Sequence, residues 1–117
     1  MFKWIAEAFG WLTDRAFRRP KPPAVYGTVV LTDRPPPLAE VRADSVYVIA
    51  PKSVQKWAML RCPCGCTEVI TLSLQPIHHP KWVVSVKRGR ASLYPSIWRT
   101  TGCRSHFWLK DGRVFWA

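Results

Sequence analysis

The amino-acid sequence predicts a mainly β fold: a small antiparallel β domain preceded by an N-terminal amphipathic helix. From residue 25 onward, short runs rich in β-branched and aromatic residues alternate with turn sequences, which is typical of strands and hairpins. In residues 1–19, by contrast, apolar side chains recur at the three- and four-residue spacing of a helix. A cluster of cysteines between two of the predicted strands further indicates that a bound metal ion stabilises the β domain.

The helix is predicted over residues 1–19. Its apolar stripe consists of Phe2, Ile5, Phe9, Leu12 and Ala16. Residues 20–24 are rich in proline, so they end the helix and form a tether to the β domain, which we assign to residues 25–117. Such a helix either packs on its own domain or docks on a partner or a membrane surface, and the tether supports the second alternative.

Eight strands are predicted in the β domain. They cover residues 25–31, 45–50, 56–61, 68–74, 82–86, 91–94, 106–110 and 113–116. The segment 87–90, Lys-Arg-Gly-Arg, is predicted to form a hairpin turn, and Asp111-Gly112 is a strong type I′ hairpin signal. The three prolines at 35–37 predict a loop.

Size and charge limit the classes of function. The chain has 117 residues, which fits one domain with a modest core, and its apolar fraction of 48% argues against disorder. The net charge is +11, from 18 Lys and Arg against 7 Asp and Glu. Such a charge favours an acidic partner, which includes nucleic acid, a lipid surface and an acidic protein.

The cellular location is predicted to be the cytoplasm. Glu7 stands where a secretory signal has its apolar run, and no small-residue cleavage site follows. No stretch approaches the roughly 18 apolar residues that a membrane span requires. A reducing compartment favours metal binding over disulfide bonds for the four cysteines.

The cysteine spacing predicts a zinc site. Three cysteines lie within residues 62–66, separated by a proline and a glycine that let the backbone bend into a knuckle. Thiolates are strongly stabilised around Zn²⁺, which takes four ligands tetrahedrally. We therefore predict a closed, structural zinc site with the ligands Cys62, Cys64, Cys66 and Cys103. Two alternatives are buried free cysteines, and a catalytic metal with His106 in place of one cysteine.

His106 and Ser96 are the candidate catalytic residues. His106 follows Cys103 by three residues, so a metal knuckle would fix its backbone, which suits a general base. Ser96 follows the predicted strand 91–94 and becomes a nucleophile if the fold brings it to His106. Ser105 is a poorer candidate, because in an extended segment it points away from its neighbour His106.

The remaining polar candidates have lesser roles. Glu68 and Asp111 are the acids that we consider for orienting the histidine. His78 and His79 lie in a proline-flanked loop, where we expect them to be solvated.

The motifs and their order resemble one small bacterial family. They are Arg-Cys-Pro-Cys-Gly-Cys at 61–66, Trp82, Ser-Leu-Tyr-Pro-Ser-Ile at 92–97, Cys-Arg-Ser-His-Phe-Trp at 103–108, and a final short hairpin. Residues 45–117 thus resemble the zinc-binding domains encoded beside bacterial ubiquitin-like conjugation genes, the Bub-type operons.

The resemblance implies a serine peptidase that trims ubiquitin-like precursors or removes them from targets. It places the zinc ligands on Cys62, Cys64, Cys66 and Cys103, and the catalytic pair on Ser96 and His106. The conjugation enzymes of the same operon are possible partners. The residues alone leave two other hypotheses: a non-catalytic zinc-ribbon-like module that binds nucleic acid or an acidic protein, with nucleic acid the less favoured, and an adaptor that docks through its N-terminal helix.

Overall fold

The structure, a computed structural model, describes residues 25–117. The predicted helix 1–19 and the tether 20–24 lie outside the described residues, so the division of the chain at residue 25 stays a prediction. The described part consists of eight strands in two four-stranded sheets, with two short 3₁₀ turns at Leu38–Glu40 and Pro51–Ser53. The prediction of a mainly β fold is therefore confirmed.

The first sheet contains the first four strands in sequential order. They are β1 (Thr28–Thr32), β2 (Ser45–Ile49), β3 (Trp57–Arg61) and β4 (Val69–Ser73). The prediction of a wholly antiparallel domain is wrong for β1, which pairs in parallel with β2. The connection through residues 33–44 is long enough, at about a dozen residues, to return the chain to the same end of the sheet.

The second sheet is antiparallel throughout. Its strands are β5 (Val83–Lys87), β6 (Arg90–Trp98), β7 (His106–Lys110) and β8 (Arg113–Trp116). The turns at residues 88–89 and 111–112 both have positive φ at their two central residues, which is the type I′ geometry. Both predicted hairpins are thus confirmed, and their turns lie at the same end of the sheet.

Strand β6 extends beyond its predicted end. The prediction ended this strand at Tyr94, directly before Pro95. The structure instead continues it to Trp98, with an irregularity between Leu93 and Ile97. Between these two residues β6 contains two more residues than the paired segment of β7, which forms a bulge, and Pro95 lies within this bulge.

One core joins the two sheets. Alternate residues of β7 show how it forms: Phe107 and Leu109 are buried, whereas His106, Trp108 and Lys110 face away from the core. The buried side chains of the first sheet in this core include Val46, Val48, Leu60 and Leu72, and those of the second sheet include Leu93, Ile97, Phe107 and Leu109. The second sheet consequently has one buried face and one open face, and the open face carries His106.

A smaller cluster covers the other side of the first sheet. It consists of Val41, Tyr47, Ile49 and Met59. Strand β2 is therefore buried on both faces, in keeping with its continuous apolar sequence. None of the helices in residues 25–117 has the length and apolar character needed to cross a membrane.

Candidate active site and metal centre

The structure brings Ser96 and His106 together on the open face of the second sheet. Ser96 Oγ lies 3.0 Å from His106 Nε2, and both side chains are partly accessible. Trp98 is the cross-strand partner of His106, and Ile97 is that of Phe107. The two extra residues on β6 between Leu93 and Ile97 therefore set the position of the Ser96 hydroxyl relative to the imidazole.

Two tryptophans contact this pair, one at the backbone of Ser96 and one at the ring of His106. The indole Nε1 of Trp82 donates a hydrogen bond to the carbonyl oxygen of Ser96 at 3.3 Å. The ring of Trp98 stacks on the imidazole of His106, with centroids 5.2 Å apart and planes inclined by 18°. The family motifs included Trp82 but did not indicate its role, because its hydrogen bond joins residues that are 14 apart across the β5–β6 hairpin.

The four cysteine thiols form one compact group. All four Sγ atoms lie within 4.8 Å of one another. The Sγ atom of Cys62 is 3.4 Å from that of Cys64 and 3.6 Å from that of Cys103. Four sulfurs at about 2.3 Å from a tetrahedral zinc are separated by about 3.8 Å, so this donor set fits a zinc ion. Within residues 25–117, the group contains no histidine, and His106 faces Ser96 instead.

The cysteine group connects the two sheets. Cys62, Cys64 and Cys66 follow β3 of the first sheet, and Cys103 lies in the β6–β7 connection of the second. The chain turns within the knuckle at Gly65, whose φ of 93° favours glycine. A metal bound here would cross-link the sheets beside the strand that carries His106.

Ser105 supports the thiols from inside the protein. It is fully buried, with its Oγ 3.3 Å from Cys103 Sγ and 3.7 Å from Cys62 Sγ. The hydrogen bond from Ser105 lowers the pKa of the Cys103 thiol to about 6, whereas burial raises the pKa of the Cys62 thiol to about 12. The guanidinium of Arg99 lies 4.0 Å from Cys103 Sγ. A cation and a hydroxyl donor beside the sulfurs suit a thiolate group.

Comparison with protein families matches residues 32–117 to the model of BubE, the bacterial ubiquitination-like system serine protease. The match covers most of the 117-residue chain.

The chain belongs to the BubE family.

The resemblance drawn from the motifs is therefore confirmed, and the family match extends further toward the N-terminus than the motifs did. No curated protein and no solved structure matches the chain. Membership associates this BubE-family chain with serine protease chemistry in a bacterial ubiquitination-like system.

No acid of residues 25–117 completes a triad in this BubE-family chain. Glu68 forms an ion pair with Arg99, with 3.0 Å between its Oε1 and the guanidinium. Asp111 lies in the β7–β8 turn, where its N–H donates to Ser92 Oγ. Neither carboxylate is hydrogen-bonded to His106, whose hydrogen-bond partner is Ser96.

A second serine–histidine pair joins Ser73, the last residue of β4, to His78. His78, which was expected to be solvated, is partly exposed: its Nδ1 is hydrogen-bonded to Ser73 Oγ, and its ring packs against Trp57. Ser73 is buried, and its Oγ also accepts the N–H of Gln75. The buried hydroxyl of Ser73 needs hydrogen-bond partners, and His78 and the N–H of Gln75 provide them. The pair therefore stabilises the turn after β4. His79 is exposed as expected.

Proposed function

We propose that this BubE-family chain is a zinc-stabilised serine peptidase that processes or deconjugates a ubiquitin-like protein, with Ser96 as nucleophile and His106 as base. The single observation that carries the proposal is the 3.0 Å separation of Ser96 Oγ and His106 Nε2 on an open face. This distance is within the range in which a histidine can take the proton of a nucleophile. Family membership supports the reaction class.

The reaction follows acyl transfer. Ser96 Oγ attacks the carbonyl carbon after a C-terminal glycine of the substrate, while its proton passes to His106 Nε2. The imidazolium then protonates the leaving amine, which breaks the scissile bond and leaves an acyl-enzyme. Water, deprotonated by His106, attacks the ester, and the proton returns to Ser96 as the carboxylate product leaves.

The pair acts as a dyad, and Trp98 contributes to its geometry. In a triad the acid orients the histidine and stabilises the imidazolium. Here the indole face of Trp98 stacks on the ring, so it restricts the ring orientation.

The predicted zinc has a structural role in this proposal. Cys62, Cys64, Cys66 and Cys103 would hold it, and four thiolates leave no position for substrate or water. When bound, it supplies a cross-link between the two sheets, which a small core benefits from. The thiols, Ser105 and Arg99 then fix the backbone from which His106 projects.

A covalent probe tests the nucleophile without knowledge of the substrate. The protein is treated with a fluorescent fluorophosphonate, which phosphonylates activated serines. We expect labelling of the native protein, and none of Ser96→Ala or His106→Ala. His78→Ala is the matched control, because it removes the histidine of the other serine–histidine pair and should leave labelling intact. Labelling that survives Ser96→Ala would show that Ser96 is not the nucleophile.

The partners in this proposal are a ubiquitin-like substrate and the conjugation enzymes of the same system. Incubation with the precursor of that ubiquitin-like protein, followed by mass spectrometry, should show loss of the residues after its terminal glycine. The cytoplasmic location stays a prediction from the sequence.

A further inference from the structure

The open face of the second sheet continues beyond Ser96 and His106 as an apolar groove. The groove has a volume of about 610 Å³. Its walls include Val83, Tyr94, Trp108 and Phe115, which are 62%, 68%, 42% and 50% exposed. Tyr94 and Trp108 contact each other across β6 and β7, with ring centroids 6.1 Å apart. Each of these two residues lies two positions along its strand from a member of the Ser96–His106 pair, so groove and pair form one surface.

The far end of the same face is cationic. A shallow cavity of about 490 Å³ lies at the two hairpin turns, and its lining consists of Lys87, Arg88, Arg90, Asp111 and Arg113. The four cations and Lys110 face a single local acid, Asp111. Within residues 25–117, none of these five cations forms an ion pair. We call this group the basic end.

Each hairpin brings two like charges directly opposite each other. Lys87 pairs across the strands with Arg90, and Lys110 pairs with Arg113. Like charges in such positions destabilise a hairpin. An acidic partner that binds the basic end would compensate this repulsion, so the arrangement indicates a binding surface.

We propose that the open face of the second sheet is an extended substrate-binding surface, in which the groove takes the C-terminal tail of a ubiquitin-like protein and the basic end takes an acidic surface of its folded body. This inference rests on the proposed function, because it places the scissile bond at Ser96. It adds the recognition of the substrate body, at a distance from the reacting atoms.

The length of the surface sets the length of the tail. Arg90 and Ser96 are separated by six residues of β6, which corresponds to up to about 20 Å. An extended peptide covers the same distance in about six residues. The substrate therefore presents about six extended, small or apolar residues before the scissile bond, and its folded body begins at the basic end.

The charge distribution favours a protein over a nucleic acid. A nucleic acid requires cations along the whole path of its phosphates. Here the cations cluster at the hairpin turns, and the groove between them and Ser96 is lined mainly by aliphatic and aromatic side chains, with Lys110 as its cation. This pattern is complementary to an acidic body with an apolar tail.

A charge reversal at the basic end tests whether this group binds the folded body of the substrate without affecting cleavage of the tail. The double variant Lys87→Glu/Arg113→Glu changes two exposed residues and converts both like-charge pairs into opposite-charge pairs, so it should fold at least as well as the native protein. Two substrates are compared: the ubiquitin-like protein of the same system, and a coumarin amide of its last six residues. We expect the ratio of kcat/KM for the protein to kcat/KM for the peptide to fall about tenfold, with a smaller fall at high salt.

A matched charge control has the same change in net charge. Lys52→Glu/Lys56→Glu alters two exposed lysines in the connection between β2 and β3 of the first sheet, and should leave the ratio unchanged. An unchanged ratio in the Lys87→Glu/Arg113→Glu variant, or an equal fall in the control, would overturn the proposal. Phe115→Ser tests the groove, and we expect it to lower kcat/KM for both substrates.

Binding measurements keep the inference testable if the chemistry fails. If the native protein cleaves neither substrate, the proposed function is wrong. The affinity of Ser96→Ala for the ubiquitin-like protein is then measured with and without the two charge reversals, and loss of binding supports the surface on its own. A single-stranded oligonucleotide is tested in parallel. Oligonucleotide binding that disappears on charge reversal, with the protein affinity unchanged, would assign the basic end to nucleic acid and contradict the proposal.

Discussion

Ser105 and His106 are neighbours in the chain, and their side chains project to opposite sides of the second sheet. Ser105 Oγ lies 3.3 Å from Cys103 Sγ in the interior, whereas His106 Nε2 lies 3.0 Å from Ser96 Oγ on the open face. The alternation of an extended strand produces this separation, because successive side chains point to opposite faces. One short segment thus connects the thiol group to the serine–histidine pair.

The serine–histidine pair should behave as one unit. We expect Ser96→Ala and His106→Ala each to lower kcat by about 10³-fold or more, and the double variant to be no worse than either alone. The reason is that the hydroxyl is activated only while the imidazole accepts its proton. Steady-state kinetics with the ubiquitin-like precursor measures this. Both variants should retain zinc, and loss of metal from His106→Ala would instead make His106 a ligand.

Ser105→Ala should affect zinc binding and leave catalysis unchanged. The variant removes the hydroxyl that stabilises the Cys103 thiolate, so we expect zinc affinity to fall by about 10- to 100-fold. With zinc in excess, its kcat should stay close to the native value, since Ser105 Oγ faces the thiols. Competition with a chromogenic chelator gives the affinity. A zinc-loaded Ser105→Ala protein without activity, beside an active Ser96→Ala protein, would identify Ser105 as the nucleophile.

Removing the metal should unfold the protein. A structural zinc contributes its binding free energy directly to folding, and here it would cross-link the two sheets. Elemental analysis should give about one zinc per chain. Chelation, or Cys64→Ser, should remove zinc, activity and the near-ultraviolet circular dichroism of the tryptophans together. Activity lost before the fold would indicate a catalytic metal, and a folded metal-free protein would contradict the structural zinc.

Trp82 is expected to position Ser96 through its backbone. Trp82→Phe keeps an aromatic ring in the core and removes the hydrogen bond to the Ser96 carbonyl. Misplacement of the nucleophile lowers the rate of acylation, so we expect kcat to fall about tenfold with KM nearly unchanged. Zinc content and Tm should change little. If Trp82→Phe keeps the native kcat, the irregular pairing of β6 between Leu93 and Ile97 is sufficient to position Ser96 without this hydrogen bond.

The sequence predicted the local features of this fold and missed the long-range ones. All eight strands were placed, and those at 106–110 and 113–116 had the observed bounds, because alternation and turn sequences are local signals. The parallel pairing of β1 with β2 was missed, since it depends on the path of residues 33–44. The continuation of β6 through Pro95 was missed for a similar reason, because a bulge depends on the partner strand.

The same distinction applies to the candidate site. Three of the cysteines are close in sequence, so their grouping was predictable, and Cys103 could be added because it is the fourth cysteine. The family motifs suggested that Ser96 and His106 act together. Their 3.0 Å separation could not be predicted, because it depends on how β6 pairs with β7 in the second sheet. The charge of +11 predicted an acidic partner. It did not predict where such a partner binds, because the clustering of cations beside the groove depends on the register of the two hairpins.

The glycines of the two type I′ turns can be compared to test how Tyr26, which precedes β1, is bound to the β7–β8 turn. Gly112 has a φ of 77°, and a Cβ there would lie 2.6 Å from the carbonyl oxygen of Tyr26. The N–H of Tyr26 also donates to the Gly112 carbonyl at 2.6 Å, and the Tyr26 hydroxyl donates to the carbonyl of Arg61, directly before Cys62. Gly112 therefore connects the last hairpin to the metal knuckle through one tyrosine.

We expect Gly112→Ala to be clearly more destabilising than Gly89→Ala. Gly89 has nearly the same φ, 76°, and a Cβ there meets nothing within 4 Å, so its substitution costs only the left-handed conformation, about 1–2 kcal/mol. Gly112→Ala adds a clash with backbone that cannot rotate away, and its total cost should reach about 3–5 kcal/mol. Denaturant unfolding of the zinc-loaded proteins measures both. If both substitutions lower the free energy of unfolding equally, the Tyr26 backbone can shift at no cost in stability. The cysteine knuckle would then not depend on the contact between Tyr26 and Gly112.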